Sequence, residues 1–233
     1  MCRSGLAIGT PPGLAGWRFL TTAHDSWAAS HAAMRRRGTV RGMSAYDVVL
    51  FFHVAVLLFA FGLTGVLHGS EWLMARASTV TELRATARAQ KLGPLFAPII
   101  VALMGLGFAL IGMSNEPAKF EFSDPFAWTA TVVLVILFLD GPLILGRHAT
   151  AMGKALAAAP DGPVTPELRA MTLDRAIWYA SHMNTFAVLG VVLNMATKPS
   201  LVGCVVDIVG GAGIGAVIGL YGLSRAAAAV PAA

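Results

Sequence analysis

The sequence is poor in charge. Only 12% of its 233 residues are Asp, Glu, Lys or Arg, whereas 56% are hydrophobic and the mean hydropathy is +0.70. Soluble globular domains carry about twice that share of charged residues. This deficit excludes an ordinary water-soluble domain and indicates a protein whose surface lies largely in a lipid bilayer.

Cysteine and short catalytic motifs are also scarce. The chain has two cysteines, Cys2 and Cys204, and the second lies in an apolar run, so a disulfide framework is not expected. No CxxC, CxxCH or HExxH motif and no Met-x-x-Met ladder occurs. The glycines at 210–215 lie inside an apolar run, not between a strand and a helix, so they do not form a phosphate-binding loop. The sequence therefore assigns no metal-ligand motif.

Five apolar runs are each long enough to cross a bilayer as a helix, which takes about 20 residues. They occupy residues 46–68, 94–113, 126–146, 177–197 and 201–222. The sequence therefore predicts an all-α membrane protein, a bundle of about five transmembrane helices with a four-helix core and a glycine-rich fifth helix. This domain covers residues 43–225 and is followed by a short tail, 226–233.

The basic residues behind the net charge of +5 lie mainly in connections between these runs. The connections 69–93 and 147–176 are basic, whereas 114–125 is acidic. Because positive connections stay in the cytoplasm, the first two are expected inside and the third outside. A chain beginning at Met43 then has its N-terminus outside and its C-terminus in the cytoplasm. The expected partner is the lipid bilayer and not nucleic acid.

Residues 1–42 differ from the rest. They are basic, almost free of acidic residues, and lack the apolar core that a secretory signal needs. We interpret them as a disordered basic leader or as an extension upstream of a true start at Met43. The second interpretation is favoured, because Arg35, Arg36 and Arg37 would otherwise precede a span that begins outside the cytoplasm.

Two helix starts are predicted between the spans. Thr79 and Glu82 have the spacing of a capping box, which begins a helix in the connection 69–93. Thr165 followed by Pro166 is a second start, with proline at the first helical position. The second of these helices is expected to run on into the fourth span.

Histidines inside apolar runs are the first candidate site residues, because ionisable groups at membrane depth are expensive and often functional. His53 lies well within the first span, whereas His68 is interpreted as a residue at its cytoplasmic rim. They are fifteen residues apart, or about 22 Å along a helix, so one ion cannot bind both. His182 lies one and a half turns into the fourth span and is the best candidate ligand in the inner layer, which also holds His68.

The remaining intramembrane polar residues are carboxylates and amides. They are Asp140 and Asn184 in the inner layer, and Asp207 and Asn194 in the outer layer. Asp140 precedes Gly141-Pro142, where proline frees a backbone carbonyl and favours a polar pocket. Asp207 belongs to a small-xxx-small series that favours close helix packing. The glycines of this series are Gly203, Gly211, Gly215 and Gly219.

The first span begins Tyr46-Asp47, continues with Phe51-Phe52-His53, contains Gly62 and Gly65, and is followed by a basic helix after Trp72. Over about residues 46–197 this pattern resembles bacterial inner-membrane proteins of unknown function. It is also distantly similar to the copper-resistance D proteins and the membrane-bound protoporphyrinogen oxidases. The resemblance implies a multi-pass protein of the bacterial inner membrane. It also implies a haem b cofactor, with its histidine ligand at His53.

Three functional hypotheses remain open. The first is a redox protein that binds haem b or a metal through His53, His182 and His68. The second is a small proton- or ion-coupled transporter that uses Asp140 and Asp207. The third is a non-catalytic subunit whose glycine face docks a second copy or another membrane subunit. No catalytic residue or enzyme class is assigned.

Overall fold

The computed structural model describes residues 43–114 and 119–229. The unit Met1–Ser44 lies almost entirely outside the described residues, and so does the predicted leader 1–42. The second unit, Ala45–Ala233, is helical throughout its described part. No β-strand occurs there, and the only strand-like pairing among these residues is an isolated bridge between Thr79 and Pro163.

Five long helical stretches confirm the predicted all-α membrane fold. Each is long and apolar enough to cross a bilayer. The stretches are Ala45–Arg76, Val80–Gly112, Pro125–Ala158, Pro166–Thr197 and Leu201–Ala228. The protein is therefore a multi-pass α-helical membrane protein.

Three of these stretches are divided. The individual helices are α1 (Ala45–Arg76), α2 (Val80–Ala87), a 3₁₀ segment (Arg88–Leu95), α3 (Phe96–Gly112), α4 (Pro125–Asp140), a π-helical turn (Gly141–Leu145), α5 (Gly146–Ala158), α6 (Pro166–Thr172), α7 (Arg175–Thr197) and α8 (Leu201–Ala228). The π-helical turn contains Pro142, which has no N–H for the regular hydrogen-bond ladder and forces a local adjustment.

Helix caps explain where the shorter helices begin. The capping box at Thr79 and Glu82 is present, and Thr165 caps α6 as predicted. The expected continuous helix from Pro166 into the fourth span is interrupted. Asp174 caps a new helix by accepting hydrogen bonds from the backbone of Ala176 and Ile177, because its carboxylate competes locally with a helical backbone.

The glycine series of α8 lies against α7. A Cβ added at three of these glycines would collide with a backbone carbonyl of α7. The pairs are Gly211 with Phe186, Gly215 with His182, and Gly219 with Trp178. On the facing helix, a Cβ at Gly190 would collide with the carbonyl of Asp207, so the approach is mutual. Gly203 instead lies beside Pro199 of the preceding connection.

This packing corrects the hypothesis of a docking subunit. The face carrying Gly211 and Gly215 is already covered by α7 of the same chain. It therefore offers no free groove for a partner helix. The same packing fixes the register of α7 and α8, because one particular carbonyl of the neighbouring helix lies against each glycine, in the space that a Cβ would occupy.

A second core lies beyond the apolar spans. Buried side chains of α2, α5 and α6 pack with the end of α1; they are Met74, Ala77, Val80, Leu83, Met152, Leu156 and Leu168. Arg169 extends into this region and donates hydrogen bonds to the carbonyls of Ala75 (2.6 Å) and Ala77 (2.5 Å). It thereby satisfies carbonyls at the end of α1 that have no helical partner, which holds α6 against α1.

Candidate metal centre

His68, Glu71 and His182 converge near one end of the apolar spans. One ligand atom from each residue lies within 4.8 Å of the other two. His182 is buried, and the side chains of His68 and Glu71 are 20% and 15% exposed. His68 and Glu71 are one helical turn apart on α1 and therefore share a face, whereas α7 supplies His182. The cluster thus joins two spans that are distant in the sequence.

The position of His182 follows from the glycine packing. Its carbonyl would collide with a Cβ at Gly215, and its Cβ lies 3.3 Å from where a Cβ at Gly219 would be. Glycine on α8 therefore lets the backbone of α7 approach at the level of the site. The imidazole ring is directed toward α1, where it packs on the ring of His68 at a centroid distance of 4.2 Å.

One nitrogen of His182 is engaged by its own helix. Nδ1 lies 2.9 Å from the carbonyl oxygen of Trp178. Because a carbonyl can only accept, Nδ1 carries the proton and donates to it. The lone pair of the neutral ring is then on Nε2, which is the nitrogen able to bind a metal. A carbonyl that holds the second nitrogen is the usual outer-shell partner of a metal-bound histidine.

His68 has a polar partner at each of its two ring nitrogens. Nε2 lies 2.9 Å from Oγ1 of Thr185, and that oxygen is also 2.9 Å from the carbonyl of Ser181. A hydroxyl has one proton, so Thr185 donates to the carbonyl and accepts from Nε2. The lone pair of Nδ1 then faces Oε2 of Glu71, an acceptor, at 3.1 Å. Either a proton on Nδ1, which makes His68 an imidazolium paired with the carboxylate, or a metal ion bound to both atoms satisfies the two groups.

The separation between His68 Nδ1 and Glu71 Oε2 suits a shared metal ion. Two ligand atoms that are 3.1 Å apart, each at about 2.1 Å from an ion, subtend an angle of about 95°. This angle lies between the octahedral and tetrahedral values. Two imidazoles and one carboxylate are also a ligand set used for Zn²⁺ and for Fe²⁺, with further coordination positions left open. The donor set therefore fits a divalent first-row transition metal.

Aromatic rings enclose the cluster on one side. The indole of Trp178 is stacked on His182 with a centroid distance of 5.6 Å and an interplanar angle of 8°. Trp72 packs edge-on against Trp178 at 6.0 Å, and the guanidinium of Arg76 lies 4.6 Å from the centre of the Trp72 ring. These rings restrict the rotation of His182 and shield it from solvent.

The same geometry does not fit haem b between His68 and His182. Two axial imidazoles lie on opposite faces of the macrocycle with the iron between them, whereas these rings pack on each other directly. A macrocycle has no room there. His53 is separate: it is 8% exposed, its ring faces Gly107 of α3 and interacts with the backbone of Leu103, and its Nδ1 forms no regular hydrogen bond. A buried unpartnered imidazole nitrogen is compatible with a ligand.

The other predicted polar residues form separate contacts. Asn184 of α7 donates a 2.5 Å hydrogen bond to the carboxylate of Asp140, next to the π-helical turn. Asn194 is completely buried and donates to the carbonyl of Cys204 at 3.1 Å. Asp207 is half-buried, and its carbonyl contacts Gly190.

Sequence reasoning missed three contributors to the cluster. Glu71, Ser181 and Thr185 were not among the candidate residues. The pair His68-x-x-Glu71 was readable, because residues three apart share a helix face. The interpretation of His68 as a rim residue was also incomplete, since its ring contacts His182. Ser181 adds a hydroxyl 3.3 Å from both Glu71 Oε2 and His182 Nδ1.

Fold and site together define a five-span helical membrane protein with a His/Glu cluster between its first and fourth spans. No family model matches the chain, and no curated protein and no solved structure shows significant similarity to it. Functional inference therefore rests on the chemistry of the cluster.

Proposed function

We propose that this membrane protein binds a divalent first-row transition metal through His68 Nδ1, His182 Nε2 and the Glu71 carboxylate. The observation that carries the proposal is the convergence of three ligand-type side chains: His68 Nδ1 and Glu71 Oε2 lie 3.1 Å apart, with a second histidine beside them. A metal ion satisfies all three groups at once. No sulfur ligand lies in the set, which favours Zn²⁺, Fe²⁺, Mn²⁺ or Co²⁺ over Cu⁺.

The ligand set also indicates the kind of role. Structural zinc sites are usually closed by four protein ligands, whereas three protein ligands leave a position for water or substrate. The site therefore supports metal-dependent chemistry or electron transfer at the end of the helical bundle. This extends the redox hypothesis to a mononuclear metal, with the chemistry supplied by the bound ion.

Equilibrium dialysis of the detergent-purified protein against Zn²⁺, Mn²⁺ and Co²⁺ tests the proposal. We expect one ion per chain for the unsubstituted protein, and loss of that ion in His182→Gln and His68→Gln. His148→Gln is the matched control, because His148 lies on α5 near Asp174 and outside the cluster. Equal stoichiometry in all three variants would contradict the proposal.

Haem b remains a second candidate function, carried by His53. Its support is the buried Nδ1 without a hydrogen-bond partner, together with the resemblance described for the first span. An absorption spectrum of protein purified from haem-replete cells tests it. A Soret band that disappears in His53→Gln is the expected result, and a colourless preparation contradicts it.

Ion-coupled transport is a third candidate, carried by the contact between Asp140 and Asn184 within the spans. A carboxylate there is expensive unless it has a partner or a function. Ion uptake into proteoliposomes should be lost in Asp140→Asn and kept in Asp161→Asn, whose residue pairs with Arg84 in a connection. Unchanged uptake in Asp140→Asn contradicts transport through this group.

We further infer a location in the bacterial inner membrane, with the connections 69–93 and 147–176 in the cytoplasm. The support is their excess of lysine and arginine over the connection 114–125. Labelling of the single-cysteine substitutions Ser78→Cys and Ser123→Cys with a membrane-impermeant thiol reagent in intact cells tests this orientation. The cysteine at position 123 should be labelled from outside and the cysteine at position 78 should not. The reverse pattern overturns the inferred orientation.

A further inference from the structure

A shallow groove lies where the third span leaves its apolar run. It has a volume of about 320 Å³ and is lined by Pro142, Gly146, Arg147, Thr150, Ala151 and Lys154. Two of these residues are cations and none is acidic. Arg147, Thr150 and Lys154 are spaced i, i+3 and i+7 and therefore share one face of α5. This face is exposed, whereas Met152 and Leu156 on the opposite face are buried.

The two cations are not used by the fold. Among residues 43–114 and 119–229, neither Arg147 nor Lys154 has an ion-pair or hydrogen-bond partner. The hydroxyl of Thr150 donates to the carbonyl of Gly146 at 2.8 Å. The groove therefore presents the donors of the guanidinium and the ammonium to an anion, with no protein carboxylate to neutralise them.

The depth of Arg147 and Lys154 relative to the bilayer indicates the kind of anion that they would meet. The apolar run from Pro125 to Leu145 is about 31 Å long at ~1.5 Å per residue, which matches the hydrocarbon core of a bilayer. Arg147 therefore lies at the hydrocarbon boundary, and Lys154 about two turns farther out. Helical side chains lean toward the N-terminus of their helix, so both cations extend back toward the membrane surface.

The surface just before the groove is apolar. Leu139, Leu143 and Ile144 are 51%, 50% and 47% exposed and belong to the same helical stretch. An occupant of the groove therefore meets two cations at one end and exposed aliphatic side chains at the other. This combination matches a phospholipid, which has an anionic headgroup and acyl chains, better than it matches a free anion.

We propose that the groove of α5 binds one anionic phospholipid, with its phosphate between Arg147 and Lys154 and its acyl chains along Leu139, Leu143 and Ile144. Lysine or arginine near a membrane surface contributes about a fivefold gain in affinity for anionic lipid, so two give about 30-fold. The site is independent of the metal centre, because no residue is shared between them.

Native mass spectrometry of the full chain in detergent, with added phosphatidylglycerol or phosphatidylcholine, tests the proposal. We expect one phosphatidylglycerol to be retained at low lipid concentration and phosphatidylcholine to bind more weakly. The double variant Arg147→Gln/Lys154→Gln should bind phosphatidylglycerol about 30-fold more weakly. Both residues are exposed, so the variant is expected to fold; thermal unfolding in detergent, compared with the unsubstituted protein, checks this.

The matched control is Arg175→Gln/Arg225→Gln, which removes two exposed cations from other helices. An equal loss of affinity in this control overturns the proposal, because the attraction is then a diffuse effect of charge. Equal binding of phosphatidylcholine also overturns it. A third arm adds inorganic phosphate at millimolar concentration: displacement of the lipid by phosphate alone shows a free-anion site and contradicts a lipid site.

Discussion

The imidazole rings of His68 and His182 pack at a centroid distance of 4.2 Å with an interplanar angle of 33°. They come from the first and fourth spans, and Glu71 lies 3.1 Å from the first of them. Thr185 and the carbonyl of Trp178 each engage one ring nitrogen. The remaining nitrogens, His68 Nδ1 and His182 Nε2, are those that a metal ion would use.

Thr185 is a positioning residue for His68. We expect Thr185→Val to weaken metal affinity by about 10- to 100-fold, because His68 Nε2 loses the acceptor that fixes its proton and its ring orientation. Isothermal titration with Zn²⁺ measures the change. Thr131→Val is the control, since Thr131 only donates to the carbonyl of Ala127 on α4. Rescue in Thr185→Ser, which keeps the hydroxyl, separates hydrogen bonding from packing; failure of that rescue contradicts the assignment.

Trp178 should report on the ion. Its ring is stacked on His182 at 5.6 Å, so a paramagnetic ion bound there is expected to quench its fluorescence. Titration with Co²⁺ should lower tryptophan emission with the midpoint found by dialysis, and Trp178→Phe should remove most of that change. Trp128→Phe is the control, because Trp128 is exposed on α4. Because Trp72 packs against Trp178, the decisive variant is Trp72→Phe/Trp178→Phe: quenching that persists unchanged there would place the ion elsewhere.

Close packing of α7 and α8 should be needed for both stability and the site. A side chain at Gly215 collides with the carbonyl of His182, whereas Gly213 has nothing within 4 Å of an added Cβ. We therefore expect Gly215→Leu to lower the free energy of unfolding by about 1–3 kcal/mol or more, as overpacking does. Gly213→Leu should be nearly neutral.

Thermal unfolding in detergent measures the stability of Gly215→Leu and Gly213→Leu, and titration with Zn²⁺ measures their affinity for the metal. The affinity should fall only in Gly215→Leu, since displacement of the α7 backbone changes the position of His182 relative to His68. Similar stability and affinity in the two variants would show that the glycine contact is not required.

Much of the fold was readable from the sequence. Hydropathy predicted the five spans, because each contains enough apolar residues to cross a bilayer. The capping box at Thr79 and Glu82 and the cap at Thr165 were also readable, because they depend only on local spacing. The small-xxx-small series predicted close packing of α8 but not which helix would cover it.

The site was less predictable, for a physical reason. The pairing of His68 with Glu71 follows from helical spacing, but the third ligand depends on how α1 lies against α7. That register is set by contacts such as Gly215 with the carbonyl of His182, which involve two distant helices. Intramembrane histidines were singled out as candidates, and two of them lie in the cluster, whereas Glu71 lay just beyond the predicted span 46–68 and was overlooked.

X-ray absorption spectroscopy of the Zn²⁺-loaded protein in detergent tests the central claim most directly. We predict a first coordination shell of nitrogen and oxygen at about 2.0–2.1 Å, with the outer-shell scattering of two imidazoles and no sulfur at about 2.3 Å. In His182→Gln the imidazole contribution should fall to one. A shell without imidazole scattering, or one unaltered by His182→Gln, would contradict a metal centre built from His68, Glu71 and His182.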